Sequence, residues 1–317
     1  MSDSQASYVV GMLVEHPNRP AWGPGKVLCL GGVGGSKITV YFRDVEEQNL
    51  NDAVKIMDTN LVQLRVAATQ TDPMLDNLPP FTDGAFKSTK PRLSLEQGEA
   101  IFLKHFPMGF KDPGYIGDLK TGERAYKLHA CRLYADTLGD GKAEKLLEIG
   151  NVAELRDLML RVVGKTNLLY LTEAAALRDG LKDDEAARRF FKALLALLSS
   201  NLDEERFDAL KGALELLPVE QGKTNPCKWT VVTIFPFLAQ PHRHLFIKPE
   251  SLKAGAELLR FHIQYRASPN WITYCKVLEL ANLLLERLQR LGACDMIDVQ
   301  GFMYVIWADR KWGYIPD

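Results

Sequence analysis

The chain has 317 residues, of which 46% are hydrophobic and 25% charged, with a net charge of −1. Such a length holds one large domain or two ordinary ones, and the composition is that of a soluble globular protein. Near-neutrality excludes a protein that coats nucleic acid by bulk charge, yet leaves room for a local basic face.

Residues 1–7 are polar and lack the basic-then-apolar order of a secretory leader. From Tyr8 the chain reads as short strands: 8–14, interrupted by Gly11, then 25–30, then 36–42. In the third, Ile38, Val40 and Phe42 alternate with Lys37, Thr39 and Tyr41, the period of a half-buried strand. Gly31-Gly32-Val33-Gly34-Gly35 joins two runs where a tight or bulged hairpin needs positive φ. Residues 54–57 and 61–64 supply the last strands. So few residues bury a core only by curling into a barrel.

Within this segment Gly11-x-x-Val14-x-His16-Pro17 is followed by Trp22-Gly23-x-Gly25-x-Val27 and then by a Val40-x-Phe42 strand. The pattern resembles the SH3-like or Tudor-like module at the C-terminal ends of UvrD-type helicases. It is similar, more distantly, to the polymerase-binding barrel of CarD-type transcription factors. The resemblance covers about residues 9–66. It implies attachment to DNA or to a nucleic-acid-processing partner such as a helicase or RNA polymerase, and no catalysis. His16, Trp22, Lys26 and Tyr41 are the expected docking surface.

Residues 66–92, rich in Pro, Thr, Asp and Gly with little periodicity, read as a linker. Helices dominate beyond it. Ser94 is placed to cap a helix over 95–105, and others are expected over 123–138, 152–163 and 184–198. Asp203 is placed to cap a helix to Leu217, stopped by Pro218. The clearest spans 274–291, with Val277, Leu280, Leu284, Leu288 and Leu291 at helical spacing and Gly292 at its end. A closing helix over about 299–307 follows, and 231–235 reads as a short extended piece. The expected fold is therefore α+β in two domains: a small SH3-like β-barrel over 8–66, a linker over 67–92, and a larger all-α domain over 93–317.

Three stretches of the helical part are richer than packing needs. Phe106 to Tyr115 is crowded with Phe, Pro, Gly and Tyr, and Arg124 and Lys127 follow on the next helix. It reads as an aromatic platform with a phosphate clamp, or as a packed interhelical loop. Lys165-Thr166-Asn167 and Glu173 read as a ligand contact or as helix caps. The third stretch runs from Leu216 through Gly222, Lys223, Lys228 and Trp229 to Pro241-His242-Arg243-His244 and Lys248-Pro249. Residues 214–260 resemble faintly the helix-hairpin-helix segment of base-excision DNA glycosylases, where backbone amides at a helix start grip phosphate. Two departures stand out: Val219 replaces the first hairpin glycine, and Lys248-Pro249 stands where that family has a catalytic aspartate. A desolvated lysine there is a possible nucleophile.

His242 and His244 lack a third ligand in sequence reach, and Asp295 and Asp298 read as helix caps. The scattered cysteines Cys29, Cys131, Cys227, Cys275 and Cys294 form no C-x-x-C pair, so neither a metal nor a cofactor is expected, and the location expected is a reducing cytoplasm. No apolar run reaches membrane-span length, so no membrane partner is expected. P-loop, dinucleotide, Gly-x-Ser-x-Gly and His-Glu-x-x-His signatures are missing. The functional expectation is a nucleic-acid-associated adaptor, with Arg124, Lys127, Lys165, Lys223, Lys228, Arg243, His244 and Lys248 as its nucleic-acid-binding residues. A scaffold for other proteins and a glycosylase-like or nuclease-like enzyme remain as alternatives.

Overall fold

A computed structural model of the protein describes residues 8–32, 36–45, 49–87, 93–199 and 201–314. The middle of the predicted glycine turn, 33–35, lies outside the described residues, as do 1–7 and 88–92. The chain divides into two compact units, one holding the chain up to Gly98 with Ala256–His262 and the other holding Glu99–Gly255 with the chain from Ile263 onward.

The first unit is built on an antiparallel sheet of β1 (Leu13–Glu15), β2 (Pro24–Gly31), β3 (Lys37–Phe42), β4 (Val54–Asp58) and β5 (Arg65–Val66), in the order β4-β3-β2-β1-β5. A bulge between Val27 and Cys29 shifts the β2–β3 register, which increases the local twist. The Trp-Gly-x-Gly motif has two steric causes. Gly23 has φ 65°, and a Cβ there would run into the Asp44 carboxylate. Gly25 pairs with Phe42, and a Cβ would lie 2.7 Å from that ring. Val14, Val27, Ile38, Val40, Phe42 and Leu64 form one buried cluster, as the alternation predicts.

The opposite face is covered as well, contrary to expectation. Leu13, Tyr41, Leu50 and Ala53 pack with Ala67, Leu75 and Phe86 in a second cluster. Residues 67–87 are therefore a packed cover, not a free linker. They carry a second hairpin, β6 (Phe81–Thr82) and β7 (Ala85–Phe86). Polar side chains fasten the cover where no strand does. The Gln70 amide accepts from Leu13 N–H at 2.9 Å and donates to Leu13 C=O at 3.0 Å. Asn51 makes the same pair of hydrogen bonds with the main chain of Phe86, accepting from its N–H at 2.8 Å and donating to its C=O at 3.0 Å. Arg43 reaches Asp72 at 2.6 Å.

The remaining elements are helical: α1 (Leu95–His105), α2 (Pro113–Ile116), α3 (Ala125–Leu138), α4 (Lys142–Glu148), α5 (Val152–Val163), α6 (Leu171–Gly180), α7 (Asp184–Ser199), α8 (Glu204–Glu215), α9 (Trp229–Ala239), α10 (Pro249–Leu258), α11 (Trp271–Leu288) and α12 (Met296–Trp312). The predicted caps hold. Ser94 Oγ accepts from Gln97 N–H, Asp203 accepts from Arg206 N–H, and Gly292 takes φ 95° after the turn that ends α11.

At the centre of the helical unit lies α9, packed by α3, α7 and α8, with Trp229 through Leu238 all buried. Its Thr-Val-Val-Thr-Ile run has strand propensity, which accounts for the extended segment expected over 231–235. Burial on every side selects a helix instead, because each backbone group is then paired within the segment. None of the helices among the described residues is long and apolar enough to cross a membrane.

Candidate functional site

The helical unit holds a pocket of about 440 Å³, within the range that takes small ligands. Tyr170, Tyr265 and Trp307 supply aromatic wall, while Glu173, Glu250, Lys228 and Lys248 supply charge. Helix α9 places several of these groups. Thr230 Oγ1 donates to Glu173 Oε1 at 2.8 Å, and Glu173 Oε2 accepts from Tyr170 N–H at 3.1 Å, so this buried carboxylate is held at both oxygens. The Trp229 indole donates to Arg266 C=O at 2.8 Å, tying down the loop that carries Tyr265. Thr233 Oγ1 accepts from Ile247 N–H at 3.0 Å and so fixes the main chain one residue before Lys248.

Lys248 is the electrostatic centre of the pocket. Pro249 occupies the first turn of α10, where its missing N–H costs nothing. The Lys248 amine lies 5.2 Å from the Tyr170 ring centroid and 5.6 Å from that of Tyr304. Burial and the nearby Lys127 charge hold its pKa below the ordinary lysine value, with Glu173 and Glu123 pulling the other way. A desolvated amine of this kind either pairs with an anion or acts as a neutral nucleophile.

The eight cations expected to form one basic face do not form one. Arg124 is spent on a buried network, its Nη1 2.9 Å from Asp295 and 2.5 Å from Asp298, with Nη2 2.7 Å from Asp295. Tyr115 donates to the same Asp298 oxygen at 2.9 Å. Asp295 also caps α12, as its position predicts, through Ile297 N–H. Cys294, Asp295 and Asp298 bring ligand-type atoms within 4.8 Å of one another, and the Arg124 guanidinium is the cation they hold.

Lys127 is fully buried and bonds Glu123 at 3.2 Å; Tyr314 donates to the other Glu123 oxygen at 3.0 Å. Lys223 is neutralised by Asp179 and Glu220, at 2.9 and 2.8 Å. His244 is buried, with Nδ1 2.7 Å from the Tyr274 hydroxyl. Half-buried Arg243 lies 3.5 Å from Gln240 Oε1. Lys165 is exposed beyond the end of α5. Only Lys228 and Lys248 of the eight line the pocket. The expected aromatic platform is core, since Phe106, Phe110 and Tyr115 are buried around Phe102.

Of the four docking residues expected on the sheet unit, Tyr41 is buried, edge-on to Phe86 at 5.7 Å. Lys26 Nζ donates to Leu75 C=O at 3.0 Å, a bond to the cover. His16 and Trp22 remain at the surface as a half-buried pair with ring centroids 5.0 Å apart. Arg19 and Lys55 each lie 5.8 Å from the Trp22 ring.

Three pocket-side aromatics, Tyr265, Tyr304 and Trp307, are not marked by any motif. The last two lie three residues apart on α12, a spacing that in sequence reads as core. Residues 9–66 match the family model described as "Protein of unknown function (DUF3553)". No curated protein and no solved structure matches the chain.

Proposed function

We propose that this is a nucleic-acid-associated protein whose helical unit takes a nucleobase into the Lys248 pocket, while its sheet unit tethers it to DNA or to a nucleic-acid-processing machine. The observation that carries this reading is the desolvated Lys248 amine between two tyrosine rings, beside a pocket walled by Tyr170, Tyr265 and Trp307. Planar rings stack on such walls, and a lysine there serves the phosphate or the base edge. The tethering role rests on the resemblance of residues 9–66 to helicase-end and polymerase-binding barrels, and on the surface pair His16 and Trp22.

Titrating a fluorescent trinucleotide at about 50 mM salt tests the pocket. Binding that weakens at least about tenfold in Lys248→Met supports it. A variant that binds as the parent does, or no binding by either, sinks it and leaves only a protein-tethering role.

The lowered Lys248 pKa favours one enzymatic reading, in which the neutral amine adds to the aldehyde carbon of a base-free sugar and loses water to form an imine. Borohydride would then reduce that imine to a stable amine linking strand and protein. Absence of a borohydride-trapped adduct, or an adduct that survives in Lys248→Met, removes this reading.

A further inference from the structure

We propose that the outer face of α12 is a track for single-stranded nucleic acid leading to the Lys248 pocket, an inference that rests on the nucleobase reading of that pocket. Tyr304, Trp307 and Lys311 recur at steps of three and four residues along the helix, so they share one face. Trp312 extends the row, its ring 4.6 Å from that of Trp307, and Tyr304 lies 5.9 Å from Trp307 on the other side. Trp307 lines the Lys248 pocket, whereas Tyr304 and Trp312 line a second, polar hollow of about 150 Å³. The row of rings therefore joins two hollows.

Each ring of the row lies near an ammonium group. Lys311 Nζ lies 5.2 Å from the Trp307 ring and 4.9 Å from that of Trp312, and Lys248 serves Tyr304. At the pocket rim Lys253 lies 4.9 Å from the Tyr265 ring. Rings that stack bases, interleaved with cations that meet phosphates, are what a single strand needs and what a duplex cannot use.

Acids near the row and at the pocket rim are paired with cations, Glu250 with Lys253 at 2.8 Å. Asp309 is paired with His105 at 2.6 Å and Lys104 at 3.5 Å, and Glu123 with Lys127. Among the described residues of α12 the only large hydrophobic exposed is Trp312, at 63%.

The test uses the full chain and fluorescence anisotropy with two probes, a trinucleotide and an oligothymidylate about a dozen nucleotides long. The longer strand should bind more tightly than the trinucleotide. Trp312→Ala and Lys311→Glu, both at exposed positions, should each remove roughly tenfold of that gain and leave trinucleotide affinity unchanged. If the trinucleotide binds but length adds nothing, or the gain persists in both variants, the track is wrong and the pocket reading stands. If the trinucleotide fails to bind, the pocket reading falls and the track as a path to it falls too. Displacement of the long strand by polyglutamate as readily as by unlabelled strand, or equal affinity for duplex, also overturns the track, because bulk charge then explains the binding.

Discussion

Lys127 and Lys248 belong to the same unit, yet their surroundings drive the two amines in opposite directions. Burial works against the Lys127 charge, but Tyr126 and Glu123 outweigh it and raise its pKa. Among the described residues no carboxylate bonds Lys248 at comparable range, and burial lowers its pKa. Removing Lys127 strands Glu123 in the interior, so Lys127→Met should cost about 3–5 kcal/mol in urea unfolding. Lys248→Met should leave unfolding unchanged or make it harder, since it deletes a disfavoured charge. Trinucleotide binding by the parent should weaken as pH rises through the lowered Lys248 pKa, below ordinary lysine titration, and Lys248→Arg should carry it to higher pH.

His244 offers a second pH test. Burial, with the neighbouring Arg243 and His242 charges, lowers its pKa from 6.5 to about 3. As pH falls through 6.5 the unfolded chain takes up a proton that the folded chain refuses until about 3. Stability from this residue is thus complete above that window and lost across it. The parent's Tm should fall more steeply with acid than that of His244→Gln, and parallel curves would contradict this.

At the scale of elements, the cover over residues 67–87 is held by the Phe86 ring and by amide side chains that imitate strand pairing. Phe86→Ala should cost about 3–5 kcal/mol in the sheet unit, read by chemical denaturation. The sequence makes β3 legible, because Ile38, Val40 and Phe42 alternate, and α11 legible, because its leucines recur at helical spacing up to Gly292. It misplaces Tyr41, since alternation assigns that residue to water and nothing local announces a cover. The cover itself has no periodicity, being fastened by single residues such as Gln70 and Arg43. The site is partly legible. Lys248 and Glu173 stand out as charges in unusual company, but Tyr304 and Trp307 do not. A ring at helical spacing is core or surface according to which other helix covers it, and that is a tertiary fact.

On the scale of the whole molecule, two separately packed units predict two unfolding transitions in calorimetry. Phe86→Ala should lower one and Lys127→Met the other, and a single transition shifted by both would contradict the division. The buried helix α9 has a further consequence for handling the chain. Released from α3, α7 and α8, the segment from Trp229 to Phe235 is an uncharged, β-branched, proline-free stretch, the composition that stacks into cross-β aggregates. Pro236, which the helix tolerates at its interior, then caps the length of any such stack. Heating past the helical transition should therefore be irreversible, and turbidity should follow the loss of that unit and not the loss of the sheet.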